Sequence, residues 1–288
     1  MSGSSPTIQR RALSAELIRH RKEAGLTTEQ VGAELDRSRG WLYGLENDKT
    51  KPNLATIRQL LDLYGVTDED EREYVLGLAR GSRVKGWWRD YEEEGIFRGP
   101  LAGLEAGARE IWTYDSVLVP GLLQTPDYAA AVFRGGQVLA EEADEADIAR
   151  RVAARMERQK ILRQESPPCL WAIIDEAALR KLVGGPEVMM AQLRFILEMA
   201  GWSNITMQVL PDAAGAHAAI TGPFIFLHFP GNLHRSIVYL ETATKSMYLE
   251  AEEDLETYTL THSRAKASAA SPEESIRYVA SLMDELKQ

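Results

Sequence analysis

Apolar residues recur at helical spacing through the first part of the chain. Leu13, Leu17 and Ile18 share one face of a helix expected over Ala12–Ala24, with Arg19, Arg21 and Lys22 on or beside its solvent side. Gly25 follows where a helix ends in the left-handed region, which a residue without a Cβ enters freely. Thr27 and Gln30 have the spacing of a capping box, ahead of a short second helix that buries Val31 and Leu35. Asp36-Arg37 make a tight turn, and Ser38 caps a third helix, RGWLYGLEN, with Leu42 and Leu45 turned inward. A fourth helix starts at Leu54, continues through Ile57, Leu60, Leu61 and Leu63, and is closed by Gly65; Trp41 is expected to pack inward against it. Two short helices joined by a tight turn, braced by a helix on either side, predict a helix-turn-helix over residues 1–66.

The acidic run Thr67–Glu73 caps a further helix through Leu78, and Gly81-Ser82-Arg83-Val84-Lys85-Gly86 breaks the pattern. Residues 67–86 therefore read as a helical linker to a larger domain, 87–288. There, helices are expected over Leu101–Thr113, from Thr125-Pro126-Asp127 to Arg134, over Glu141–Gln164 and over Glu187–Ala200. Strands are expected at Leu170–Ile174, Ile205–Leu210, Phe224–Phe229, Ser236–Glu241 and Met247–Glu250, with two helices after them, the last opened by Ser271-Pro272. The expected fold is mainly α: a helical helix-turn-helix domain followed by a larger α+β domain with a small sheet.

The formal charge of −10 does not suggest a nucleic-acid partner, but it is unevenly spread. Residues 1–58 carry ten Lys/Arg against seven Asp/Glu, a net of +3, and the remainder carries 23 against 36, a net of −13. A basic head on an acidic body suggests separate tasks. Hydrophobic residues make up 44% and charged ones 26% of the 288, an ordinary globular mixture. No apolar run spans a membrane, and no apolar stretch precedes a cleavage site near the N-terminus, so a cytoplasmic location is expected.

The stretch Leu26–Leu63 resembles the phage-repressor-type (Xre) helix-turn-helix family, through Leu26-Thr27, Leu35, Ser38, Leu42, Leu45-Glu46, Pro52, Ile57 and Leu60. Departures from that family's pattern are Gly32 at its small helix-two position, Asp36 at its turn glycine and Arg37 at its turn hydrophobe. The remainder resembles the C-terminal domain of unknown function behind such modules in actinomycete regulators of the WhiJ type, through GWWRDY (86–91), VPGLLQTPDYA (119–129), IDEAALR (174–180), VGGPEVMMAQL (183–193), QVLP (208–211), AGAHAAITGPF (214–224) and VYLET (238–242). The resemblance implies a transcriptional regulator of double-stranded DNA, often encoded beside a small partner protein.

On that reading the third helix lies in a major groove. Arg39, its first exposed residue, is placed to fork onto a guanine, Tyr43 to reach a phosphate or a thymine methyl, and Thr28 to bond a phosphate. Ser38 caps the helix. Gly40 and Gly44 stand where relatives place base-reading side chains, which implies weak specificity per half-site. Asn47, Lys49, Lys51 and Asn53 surround the loop that tracks the backbone in this family. Arg10 and Arg11 read as a flexible arm or a solvated tail, with the tail preferred.

No catalytic constellation is present: GxSxG, a P-loop and GxGxxG after a strand are all missing. His217, His228 and His234 are spaced by eleven and six residues, matching no metal motif, and the single cysteine, Cys169, reads as an inert small hydrophobe. The acids Asp175-Glu176 are explained by a helix N-terminus. No enzyme, metal or cofactor is therefore expected. Trp87, Trp88, Tyr91, Trp112 and Tyr114 concentrate aromatic surface after the linker, and with His217 they are candidates for a sensing pocket, against the alternative that the rings fill the core. The expectation is a homodimeric one-component regulator whose C-terminal domain dimerises and senses a small-molecule effector or a partner. The alternative is an antitoxin-like or scaffold protein that binds a small partner protein and uses DNA for autoregulation.

Overall fold

The computed structural model describes residues 5–47, 50, 53–97, 99–136, 144–231 and 234–287, with Arg39 described by its backbone alone. The chain divides into two compact units, Met1–Arg89 with Pro230–His234, and Asp90–Phe229 with Arg235–Gln288.

The first unit contains α1 (Pro6–Glu23), α2 (Thr28–Glu34), α3 (Arg39–Glu46), α4 (Leu54–Leu63) and α5 (Glu69–Gly81). Helix α1 starts six residues before the expected position, because Ser5 accepts a hydrogen bond from the Ile8 N–H and Pro6 sits in the first turn, where a missing N–H costs nothing. Arg10 and Arg11 are thus helical residues, neither an arm nor a tail. The other caps are as expected: Thr27 and Gln30 complete their capping box, and Gly25 and Gly65 take φ of +68° and +73°. Leu13, Leu17, Val31, Leu42, Leu45 and Ile57 meet in one core, and Val75, Leu78 and Ala79 of α5 belong to it. Within the segment 67–86, expected as a helical linker, α5 packs its apolar stripe into the first unit's core while the acidic residues 68–70 at its start are exposed.

Helix α6 (Trp88–Glu93) crosses the division. The second unit continues with α7 (Leu101–Glu105), β1 (Glu110–Asp115), α8 (Pro126–Gly135), α9 (Glu145–Gln159), β2 (Cys169–Asp175), α10 (Glu176–Arg180), α11 (Pro186–Ala200), β3 (Ile205–Leu210), β4 (Phe224–His228), β5 (Ile237–Glu241), β6 (Ser246–Leu249), α12 (Glu252–Ser268) and α13 (Pro272–Glu285). The strands form one mixed sheet in the order β3-β2-β1-β4-β5-β6. Strand β1 runs parallel to β2 and antiparallel to β4, placing Trp112 beside both Trp171 and Phe226. The helix expected over Leu101–Thr113 is corrected. It ends at Glu105, and Glu110–Asp115 form a strand at the middle of the sheet. The helix expected over Glu141–Gln164 is narrower, with 141–143 outside the described residues and a 3-10 turn at Lys160–Arg163.

One face of the sheet packs Tyr114, Ile173, Phe226 and Val238 with Ala265 of α12. The architecture is a helical N-terminal part followed by an α+β part with a six-stranded mixed sheet. Among the described residues no helix is long and apolar enough to cross a membrane.

Candidate nucleic-acid interface

Helix α3 is set by its start and by what holds its end. Ser38 Oγ accepts from the Trp41 N–H at 3.2 Å, fixing the first turn. The turn before it contains Asp36 at φ +50°, left-handed backbone at the place where the resembled family has glycine. At the other end, Arg21 of α1 donates two hydrogen bonds to Glu46, at 2.6 and 2.9 Å, and a third at 3.0 Å to the Leu26 carbonyl. Glu46 is buried, and Ser14 donates to the neighbouring Leu45 carbonyl at 3.1 Å. Arg21 thus clamps α3 onto α1, where the sequence placed it on or beside the solvent side. The Leu45-Glu46 pair of the family pattern was the one signal of this clamp.

With Leu42 and Leu45 fixed inward, the opposite face of α3 is open. Gly40 and Asn47 are exposed, and Tyr43 is 54% exposed. Trp41 packs against the core as expected, with the Arg37 guanidinium 5.9 Å from its ring centroid. Gly44 does not share the open face. It is buried, and its carbonyl accepts from the Thr50 N–H at 3.1 Å.

The remaining predicted positions divide by task. Asn47 Nδ2 donates to the Tyr43 carbonyl at 2.8 Å, and Asn53 Oδ1 accepts from the Ala55 N–H at 3.0 Å, so both close helix ends. Half-buried Thr28 donates to Glu29 at 3.0 Å. Arg39 opens α3 at its first position, with its side chain outside the described residues; Lys49 and Lys51 also lie outside them.

The six candidates for a sensing pocket make ring contacts with near neighbours. Trp87 meets Trp88 edge-on at 5.7 Å, and Tyr91 meets Phe97 at 5.5 Å. Trp112 stacks on His262 at 4.5 Å and lies 5.4 Å from Phe226, within the core. His217 Nε2 lies 3.4 Å from the Tyr114 hydroxyl, which donates to Asp175 at 3.2 Å. Burial first, and then the charge of Asp175, push the Tyr114 hydroxyl above its ordinary range. Trp88 and Tyr114 are buried, and Trp112 packs against the core on one face of the sheet. Cys169, expected to be an inert small hydrophobe, is instead exposed at the start of β2.

A tight turn followed by a capped, clamped helix in a helical unit, with an α+β unit after it, defines a helix-turn-helix protein with a large second domain. Residues 12–75 match the family model described as a helix-turn-helix domain, and residues 99–281 match the one described as a domain of unknown function, DUF5753. The second match spans more than half of the chain, and the protein belongs to the DUF5753 family. Neither a curated protein nor a solved structure matches the chain.

Proposed function

We propose that this protein is a cytoplasmic, dimeric transcription regulator of the Xre, WhiJ-like type. Its head reads double-stranded DNA through α3, and its body dimerises and senses a signal. The role is binding, with no catalytic step. The observation that carries the reading is the single exposed face of α3: Gly40, Tyr43 and Asn47 are open while Leu42 and Leu45 are buried. A helix of ~10–12 Å diameter fits a major groove, and its first turn meets the base edges. The match of residues 12–75 to a helix-turn-helix domain supports the same partner.

In this reading Arg39 supplies the base contact and Tyr43 contacts the DNA one turn further on. Lys49 and Lys51 neutralise phosphates, which sets affinity and register but not sequence. Two heads on a two-fold axis read half-sites about one helical turn apart. Footprinting on the region upstream of the protein's own gene tests this. Arg39→Ala is expected to weaken the protected site by about 1–3 kcal/mol and relax its sequence preference. Lys49→Ala is expected to weaken all DNA alike and to flatten the salt dependence by about one counterion. An Arg39→Ala protein with an unchanged footprint would remove α3 as the reading element.

A further inference from the structure

Helix α9 carries Arg151, Arg155 and Arg158 at i, i+4 and i+7, and all three line a cavity of about 240 Å³ within the second unit. Its apolar walls are Phe97, Leu101 from α7 and Phe133 from α8.

The three guanidiniums differ in how they are balanced. Arg158 is paired through two hydrogen bonds with Glu105, which is fully buried, and is neutralised by it. Arg151 donates to Asp147 at 2.7 Å from a half-buried position. Arg155 has no carboxylate within ion-pair distance among the described residues. Its partners are neutral: Gln124 Oε1 at 2.6 Å, and the Phe133 ring, whose centroid lies 4.7 Å from the guanidinium carbon. Gln124 is itself held in orientation, since its Nε2 donates to the Val119 carbonyl at 2.7 Å and it is buried. Burial first, and then repulsion from Arg158, push Arg155 down to about 10, which leaves it charged at neutral pH.

A half-buried cation without a matching anion is costly to maintain, and partial neutralisation by Glu241 at the cavity wall does not bring a carboxylate into contact. A guanidinium presents a fixed fork of donors that fits carboxylate and phosphate oxygens. The volume is sufficient for a ring and an anionic group, since roughly 150 Å³ of apolar cavity accommodates benzene.

We propose that this cavity binds a small organic oxyanion, its carboxylate or phosphate received by Arg155 and Arg151 and its apolar part lying along Phe97, Leu101 and Phe133. This names the ligand class for the sensing role proposed above and rests on that reading only for its consequence at DNA. Binding itself is tested on the full chain without DNA, so the two can fail separately.

The test is calorimetric titration with phenyl phosphate, benzoate, inorganic phosphate and benzyl alcohol. At least one aromatic oxyanion is expected to bind about tenfold or more tighter than both inorganic phosphate and the neutral alcohol. Preference for phenyl phosphate marks a phosphate ligand, and preference for benzoate marks a carboxylate. Arg155→Met is expected to weaken the preferred probe by about tenfold or more while melting no lower than wild type, because an unmatched charge has been removed. Arg151→Gln, at a more exposed position, carries the same test if the first variant does not fold. Absence of binding by both aromatic oxyanions overturns the proposal, as do variants that bind like the wild type.

Discussion

Asp36 illustrates how a single backbone position fixes the turn between α2 and α3. Its φ of +50° places an L side chain in a region that costs most residues roughly 1–2 kcal/mol and that Asp tolerates better than most. Asp36→Gly is therefore expected to raise stability in urea by about 0.5–1 kcal/mol, and Asp36→Val to lower it by more. Both changes lie in the turn between α2 and α3, so equilibrium unfolding is the measurement. Glu46 is the opposite case, a buried charge compensated among the described residues by one ion-pair partner, Arg21. Glu46→Ala leaves the Arg21 guanidinium beside a vacated pocket and is expected to cost about 3 kcal/mol. Replacing both partners by apolar residues of similar volume should recover much of that loss, which a double-mutant cycle measures.

At the scale of elements, the helix ends around α2 and α3 were legible because their signals are short-range. Ser38, Thr27 with Gln30, and Gly25 each act within three residues of a helix end, so the sequence carries the boundary directly. Strand β1 was not legible in this way. Alternate residues put Glu110, Trp112 and Tyr114 on one face and Ile111, Thr113 and Asp115 on the other, so each face mixes apolar and polar side chains and the alternation that identifies a strand is lost. The arginine cavity escaped for a related reason: Arg151, Arg155 and Arg158 have the spacing of a solvated helix stripe, and only the packing of α7, α8 and β5 encloses them.

The packing of α12 on the sheet yields a pH prediction. His262 is buried against Trp112, and burial first, then Lys266 and His228, push it down to about 4. Unfolding restores an ordinary imidazole near 6.5. Between those values the unfolded chain binds more protons, so stability falls as pH drops from about 6.5 to 4, by roughly 2–3 kcal/mol from this group. His228 is also lowered, by burial foremost, and adds to the same slope. His262→Phe should therefore flatten, without abolishing, the acid limb of a stability–pH curve, and an unchanged limb would remove His262 as its source.

For the whole molecule, the decisive fact is that among the described residues each unit has an apolar core of its own, one that includes Leu13, Leu42, Leu60 and Val75 and one that includes Tyr114, Phe226 and Val238. A chain with two cores has no single unfolding equilibrium to which every perturbation must refer. Scanning calorimetry of the full chain is expected to resolve two transitions. Glu46→Ala should lower the one belonging to the first unit and leave the other in place. An aromatic oxyanion held by Arg155 should raise the second transition as its concentration exceeds its Kd, by about 2.7 kcal/mol of stabilisation at a hundredfold excess, and leave the first where it was. If the ligand moves both transitions by equal amounts, the units unfold as one, and a signal at the cavity reaches α3 through shared stability. If it moves only the second in the absence of DNA, any effect on DNA affinity must come from the geometry of the proposed dimer, because a ligand shifts an equilibrium only by its differential affinity for the two states.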